Sequence, residues 1–427
     1  MREIWNALPE GERREAIAAA PRDVAEELFL GLPARDMCDL LHGQPPEERR
    51  SWIRLLPPDD AADLIQCAPQ DERAHLLHLL DEPTRKEVVG LLAYREDEAG
   101  GLMSPRYVRL RPEMHLDEAI AYLRRAARER LETIYYIYVL DLEHRLVGVL
   151  SFRELFGAPP QSTVRDVMRR SFVSVPETMH QEAVARVIAE NHLLAVPVLD
   201  AAGHIKGIVT IDDIVDVLRE EATEDIQKLG GMEALDAPYL QIAFARMVRK
   251  RASWLAALFL GEMLTATAMA FFEDEIARAV VLALFVPLII SSGGNSGSQA
   301  STLVIRAMAL GEVKLRDGWR VVRRELGAGI ALGAILGSIG FLRIVLWQAI
   351  TPLYGEHYLL VALTVSMSLV GVVTFGTLAG SLLPFVLRRL GFDPASASAP
   401  FVATLVDVTG LLIYFGVAFA LLRGTLL

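Results

Sequence analysis

The sequence predicts a multi-domain α-helical membrane protein with a large soluble part ahead of its membrane part. Three observations predict it. Five long apolar stretches follow Ala252, a proline recurs every twelve residues near the start, and two similar α/β segments lie between. Charge divides at the same place. From Ala252 onward there are 10 acidic and 11 basic residues, while the remaining 44 acidic and 32 basic residues precede it. An acidic soluble part repels nucleic acid and anionic lipid and collects cations, so no nucleic-acid partner is expected. Met1 leads into charged, helical sequence rather than into a signal peptide. Cys38 and Cys67 are the only cysteines; both sit in apolar helical patterns and read as reduced core residues.

The first domain, expected over 1–100, is punctuated by Pro9, Pro21, Pro33, Pro45, Pro57 and Pro69, with Pro83 two residues late. Proline suits the first helical turn, where its missing N–H costs nothing. Each unit then reads as one short helix with an apolar stripe, as in Val24, Leu28 and Leu32. Stacked units bury those stripes as an N-terminal all-α superhelix. It serves either as a scaffold or as a sensor lobe, and the acidic run Glu96-Asp97-Glu98 at its end favours the second.

Residues 101–160 and 161–224 repeat one pattern. Tyr138-Val139-Leu140-Asp141 is echoed 59 residues on by Pro197-Val198-Leu199-Asp200, and Gly148 to Leu155 by Gly207 to Ile214 at the same offset. Leu102-Met103-Ser104-Pro105 is echoed by Val167-Met168-Arg169-Arg170. Amphipathic helices are expected near Leu116–Glu129 and Gln181–Asn191. The pair resembles a CBS module. Such modules often bind adenine nucleotides through a Thr hydroxyl and a nearby Asp, which implies an ATP site at Thr210 and Asp213. Ser151 and Glu154 occupy those places in the first motif. The alternative for Thr210 and Asp213 is a helix N-cap with a favourable first-turn charge.

Asp212, Asp213, Asp216, Glu220, Glu221, Glu224 and Asp225 form a dense run at the exit of this module. Like charges at helical spacing destabilise a helix unless something neutralises them. Placed just ahead of a membrane, the run favours a cation site over a merely solvated face. Hard cations take carboxylate oxygens, and Mg²⁺ keeps most of its waters, so loosely spaced carboxylates suffice. A connecting amphipathic helix follows, in the segment 225–251. Beyond the Gly230-Gly231 break it runs from Pro238 to Arg251, apolar at Leu240, Phe244 and Val248 and basic at Arg246, Arg249, Lys250 and Arg251.

The last domain, 252–427, holds five expected transmembrane helices at 252–272, 277–309, 326–350, 358–387 and 398–422, each long enough to cross ~30 Å of hydrocarbon. Lys and Arg cluster before the first span, in the second link and in the fourth; the first link is acidic and the third lacks both. This places the N-terminus in the cytoplasm and Leu427 outside, in a multi-pass protein of the cell inner (plasma) membrane.

The polar content of the spans points to a path for ions. Pro287 to Gln299 contains Gly293, Gly294, Asn295 and Gln299. Polar, glycine-rich backbone at membrane depth is tolerated only inside protein or against water, so this block packs helices closely and lines a wet path. Asp407 and Glu262 lie within spans, where a carboxylate costs ~2.5–3.5 kcal/mol and marks a functional site. Asp407, beside Thr409, is the expected pore ligand. Glu262 is either a second pore group, a partner for Arg343 or a polar interhelical contact. Asp393, before Pro394, either caps a helix or guards the inner mouth.

This order of parts, from all-α superhelix through α/β CBS pair and amphipathic connector to five spans, resembles the MgtE-type magnesium channels. The most specific matches are Gly293 to Gln299, Gly391-Phe392-Asp393-Pro394, Pro400 to Gly410, and Glu221 to Ile226 before Lys228-Leu229-Gly230. The resemblance implies a homodimer in the lipid bilayer whose pore selects hydrated Mg²⁺ through Asp407 and the Ala403 carbonyl. Asp393 would stand at the cytoplasmic mouth. It also implies regulatory Mg²⁺ at Asp97, Asp213, Asp216, Glu221, Glu224 and Asp225, bound when cytosolic Mg²⁺ is high and locking the pore shut. The chain departs from the family at Ala399, where Asn or Gly is expected, and at Glu262, where a small or hydroxyl residue is usual. Competing readings are a proton-coupled carrier for Co²⁺ or Mn²⁺, and a nucleotide-responsive sensor with a membrane anchor. Softer metals recruit His or Cys, which the spans lack. No nucleophile–base constellation or phosphate-binding Gly-Lys-Ser/Thr loop suggests an enzyme.

Overall fold

A proline ring fixes φ, and an extended ψ beside it turns the chain out of one helix and into the next. That device builds the first part of the protein. The computed structural model describes residues 5, 8, 10–126, 133–235, 239–240, 242–351 and 353–426. Pro9, Pro238, the expected helix end at Glu129 and Leu427 lie outside the described residues. The described chain forms two compact units, Met1–Glu220 and Glu221–Leu427.

In the first unit, Pro21, Pro33, Pro45, Pro57 and Pro69 each cap a helix with φ from −58° to −52° and ψ from 142° to 160°. After α1 (Glu10–Ala19) come α2 (Arg22–Leu30), α3 (Ala34–Gly43), α4 (Pro46–Ile53), α5 (Pro58–Cys67) and α6 (Gln70–Leu79). Each of α2 to α6 carries a carboxylate in its first turn, matched to the helix dipole. The period persists into α7 (Glu82–Leu91) with a different cap. Asp81 takes the capping place, accepting from the Thr84 N–H at 3.4 Å, and Pro83 moves inside the first turn. This accounts for the late proline. Helix α3 packs on α5, α5 on α7 and α4 on α6. Alternate helices therefore share a layer, and Phe29, Leu41, Ile53, Leu64 and Ile65 are buried between the layers.

The same unit holds the α/β pair: α8 (Ala99–Leu102), β1 (Tyr107–Leu110), α9 (Leu116–Ala126), β2 (Thr133–Leu140), β3 (Leu146–Ser151), α10 (Phe152–Gly157), α11 (Val164–Val167), β4 (Val175–Pro176), α12 (Gln181–Asn191), β5 (Ala195–Leu199) and β6 (Ile205–Thr210). Each sheet has a parallel pair followed by an antiparallel pair, in the orders β1-β2-β3 and β4-β5-β6. The repeat is visible in the register, where Val139 faces Gly148 and Val198 faces Gly207.

The two halves are interlocked. Ser104, from ahead of the first motif, exchanges backbone hydrogen bonds of 2.8 and 2.9 Å with Ile208 of the second. Arg169, from ahead of the second, exchanges two of 2.9 Å with Val149 of the first. The echo between Leu102-Met103-Ser104-Pro105 and Val167-Met168-Arg169-Arg170 thus reflects one job done twice: each segment adds an edge to the other repeat's sheet.

Helix α13 (Ile211–Leu229) runs on from β6 and crosses the boundary between the units. In the second unit Gly231 turns the chain at φ 70°, and a Cβ there would stand 3.0 Å from Pro400 Cγ and Trp254 Nε1. The basic connector and the first apolar stretch form a single helix, α14 (Phe244–Phe271). Then follow α15 (Glu273–Arg278), α16 (Val280–Ala283), α17 (Val286–Ala309), α18 (Gly318–Ile350), α19 (Tyr358–Arg389) and α20 (Ala399–Leu422). Among the described residues five spans are long and apolar enough to cross a membrane.

Helices α17 and α19 touch backbone to backbone. A Cβ on Gly376 would lie 2.3 Å from Gly293 O, and one on Gly380 would lie 2.0 Å from Gly297 O. Small residues four apart on both helices create this crossing. Helix α20 lies against α17 and α19, with Val402, Val406, Leu411 and Tyr414 buried, and α14 packs on α20. Tyr414 ties α20 to α16 by donating to Leu282 O at 2.8 Å.

Gly380→Ala is expected to destabilise the membrane unit by about 1–3 kcal/mol, because the clash is with backbone that cannot rotate away. Gly416→Ala, whose new Cβ would meet nothing within 4 Å, is the matched control. Thermal unfolding of the two variants in detergent measures the difference; equal midpoints would count against the crossing.

Candidate cation pathway and sensor sites

The glycine crossing sets the rotation of α17. With Gly293 and Gly297 buried against α19, Asn295 and Gln299 fall on the opposite, exposed side, four residues apart. An exposed amide in hydrocarbon is costly, so this stripe requires water or polar contact. Gly294 faces α20: a Cβ there would be 3.5 Å from Ala403 Cβ. The expected pore block therefore divides into Gly293, which packs helices; Gly294, beside Ala403; and Asn295 and Gln299, which offer amides.

Asp407 is half-buried on α20, one turn after Ala403. Thr409 lies near it, its hydroxyl donating to Leu405 O at 2.8 Å while its oxygen can still accept. Glu262, on α14, is exposed and lies within electrostatic range of Asp407. The neighbouring Gly261 allows this approach, since a Cβ there would be 2.8 Å from Thr404 Cγ2 on α20. Arg343 is not the partner of Glu262. Its guanidinium stacks 4.1 Å from the Trp347 ring centroid and reaches the Tyr354 hydroxyl at 3.4 Å. Glu262 on α14 and Asp407 on α20 are thus close enough to interact by charge.

Just ahead of α20, Asp393 does two things. Its Oδ1 accepts from the Ala395 N–H at 2.9 Å, and its Oδ2 accepts from Lys228 Nζ at 2.6 Å. Lys228 also pairs with Glu224. Burial alone would lower the Lys228 pKa, but the bonds to Asp393 and Glu224 outweigh it and hold the ammonium above its ordinary value. A side-chain cation therefore already bridges Glu224 of the acidic run and Asp393.

In the first unit several expected sensor carboxylates are engaged locally. Asp97 accepts from Arg95 Nε at 3.0 Å and Nη2 at 2.9 Å, with His180 Nε2 at 3.7 Å. Asp213 Oδ2 accepts from the Thr210 hydroxyl at 2.7 Å and from its N–H at 3.2 Å. Ser151 and Glu154 repeat this arrangement at the start of α10, with bonds of 2.7 and 2.9 Å. Both pairs thus act as helix-start caps. Asp216 meets Arg219 at 3.3 Å on an exposed surface, a contact worth little.

The sequence reading missed the carboxylate most perturbed among the described residues. Asp63, on α5, is pushed up to about 8, first by burial and then by the charges of Asp60, Glu96, Asp213 and Glu220. Asp60 and Asp63 share one helix face at i, i+3. That spacing was visible in the sequence, but the proline repeat made those residues look like ordinary first-turn charge. Beside them a cleft of about 800 Å³ is lined by Gln66, Arg73, Arg95, Glu96, Gln181 and Glu220. Among the described residues no three His, Cys, Asp or Glu side chains converge closely enough for direct metal coordination. The grouping instead suits a cation that keeps its water shell.

Comparison with known proteins agrees with this architecture. Residues 286–417 match the MgtE divalent cation transporter family, 1–97 the MgtE intracellular N domain, and 99–160 and 164–220 the CBS domain. The chain is 45% identical over 345 residues to the magnesium transporter MgtE of Thermus thermophilus, covering 81% of this chain and 74% of the relative. It is 35% identical over 337 residues to the magnesium transporter MgtE of Enterococcus faecalis, covering 79% and 72%. A crystal structure of the cytosolic domain of the Mg²⁺ channel MgtE in complex with ATP is similar at 40% identity and TM-score 0.48, covering 50% of this chain and 88% of that one. With a helical N-terminal domain, a CBS pair and five membrane-spanning helices, this multi-pass membrane protein belongs to the MgtE family of divalent cation transporters.

Proposed function

We propose that this protein is a homodimeric Mg²⁺ channel of the cell inner membrane, with its N-terminus in the cytoplasm, closed by cytosolic Mg²⁺. The observation that carries the reading is Asp407, a half-buried carboxylate on an otherwise apolar span, close to Thr409 and within electrostatic range of Glu262. Relatives 45% identical over 345 residues and 35% identical over 337 residues are named magnesium transporters, which supports the choice of ion. Oxygen-only donors suit a hard divalent cation.

Two copies of Asp407 across a two-fold axis would hold hydrated Mg²⁺ by charge, with the Ala403 carbonyl and the Asn295 and Gln299 amides receiving its waters. Most apolar side chains of α14, including Leu255, Phe259, Leu260, Met263 and Leu264, are exposed, which suits lipid or the second subunit. A divalent ion entering down the membrane potential gains ~4.6 kcal/mol per ~100 mV, so no further energy source is required.

Regulatory Mg²⁺ is proposed at two groups. The first is Asp63 with Asp60, Glu96 and Asp213, joined by Asp97 and Asp216. Carboxylates held this close without bound cations repel, and a hydrated divalent ion relieves that repulsion. The second comprises Glu221, Glu224 and Asp225 with Asp393, where Lys228 covers part of the charge. Removing bound Mg²⁺ would leave the first group to push apart and so favour opening. At the CBS pair, an adenine nucleotide such as ATP would have to draw Thr210 and Asp213 out of their mutual hydrogen bonds.

Three measurements test this reading. Asp407→Ala is expected to lower Mg²⁺ flux in liposomes about tenfold or more, equivalent to ~1.4 kcal/mol or more of lost ion stabilisation; undiminished flux would sink the pore assignment. Replacing Glu221 and Glu224 together by Gln is expected to leave the channel conducting at high cytosolic Mg²⁺, read as current in inside-out patches. Asp63 gives a pH signature. Its folded pKa lies above its unfolded value, so ionising it opposes folding, and stability should fall as pH rises from about 4 to about 8. In chelator, Asp63→Asn is expected to remove that fall and to stabilise the protein at pH ~8 by about 1–2 kcal/mol, after allowance for solvent screening. An unchanged pH dependence of the melting temperature would contradict the carboxylate grouping.

A further inference from the structure

The chain break after the acidic run encloses a cleft of about 700 Å³ inside the second unit. Its walls are the end of α13, the Gly230-Gly231 turn with the segment after it, and the start of α14. Gln227, Met232, Leu235, Met247, Arg251 and Leu255 line it. We propose that this cleft binds an anionic phospholipid at the membrane boundary, with the lipid phosphate on Arg251.

The cleft is held open by specific bonds. Gln227 Oε1 accepts from the Leu235 N–H at 2.6 Å, and Lys250 Nζ donates to Ala234 O. The Glu233 N–H donates to Lys250 O at 3.4 Å. Gly231, at the back, is wedged against Trp254 of α14 and Pro400 of α20. The Lys250 ammonium is thus engaged by the turn. Arg251 is exposed at the cleft, and among the described residues no carboxylate lies within ion-pair distance of it.

Placement selects the occupant. Met247, Arg251 and Leu255 recur every four residues and form one stripe along α14, about 6 Å per step. Arg251 is the last charged residue before the apolar run that begins at Ala252. Leu255 therefore reaches hydrocarbon depth, and Met247 lies at headgroup depth. A phosphate takes two parallel N–H bonds from a guanidinium. A lipid held that way lays an acyl chain past Leu255, while Met232, Leu235 and Met247 cover its glycerol end. Arg246, Arg249 and Lys250 join Arg251 in a basic cluster just outside the span, which favours an anionic lipid over a zwitterionic one. Leu240, Phe244 and Val248, exposed on the same connector, suit the same boundary. A soluble anion would meet Arg251 but gain nothing from the apolar walls, and an apolar peptide would leave the guanidinium unanswered. A bound lipid would brace the end of α13 against α14 and the start of α20. The site stands apart from the cation reading and can fail without it.

The test uses the full chain, delipidated in detergent, and counts bound lipid by native mass spectrometry as dioleoyl phosphatidylglycerol or dioleoyl phosphatidylcholine is added. Wild type is expected to retain phosphatidylglycerol in preference to phosphatidylcholine, which carries the same chains. Arg251→Gln should weaken phosphatidylglycerol binding about fivefold, the effect of one charge at the membrane surface. Arg249→Gln removes the same charge from a residue that does not line the cleft and should weaken it less. Met247→Trp fills the cleft without changing charge and should weaken binding at least as much as Arg251→Gln. Leu235→Trp repeats that test from the opposite wall if Met247→Trp does not fold. The proposal is overturned if the two lipids are retained equally, or if Arg251→Gln matches Arg249→Gln. It is also overturned if inorganic phosphate alone displaces phosphatidylglycerol, which would make the site one for a free anion. Loss of the dimer in Met247→Trp with lipid binding intact would give the face to a second copy of the chain and overturn it as well.

Discussion

The membrane half depends on one contact, the backbone crossing of α17 and α19. A Cβ on Gly380 would sit 2.0 Å from Gly297 O, so no other residue permits the approach without moving a helix. Lipid tails are as apolar as leucine, and association between spans therefore rests on close packing rather than on hydrophobic burial. Once the glycine face of α17 is committed to α19, the exposure of its amide face follows, because residues two positions apart on a helix lie on different sides. Helix α20 then packs against the pair and brings Asp407 beside α14 and Glu262.

The soluble half rests on periodicity. A cap every twelve residues makes helices of nearly constant length, and constant length lets alternate helices share a layer. The α/β repeats follow a different rule. Neither sheet is complete alone, because each takes an edge segment from ahead of the other motif. Folding one repeat without the other would leave the Ile208 or Val149 backbone groups short of their partners.

Charge ties the structure to its chemistry. Carboxylates here have two kinds of environment. Some are answered by side chains: Asp97 by Arg95, Asp393 and Glu224 by Lys228, Asp213 by Thr210. Asp63 is different, for its strongest charge effects all come from other carboxylates. In the membrane, Glu262 and Asp407 form a second such pairing. Both bring like charges together.

The sequence by itself determined the covalent and periodic features: the twelve-residue cap ladder, the 59-residue offset of the α/β repeats, the five spans and the intramembrane carboxylates. Each is local, written in spacing or hydropathy. Tertiary structure decided which groups meet. That Arg343 stacks on Trp347 and Glu262 comes within electrostatic range of Asp407 depends on helix rotation, which hydropathy does not set. That Asp63 rather than Asp97 is the strained carboxylate depends on residues from α5, α13 and the segment after α7 converging in space. Cys38 and Cys67 looked alike in sequence because both sit at apolar helical positions. Only the packed structure puts one sulfur under the surface and the other on it.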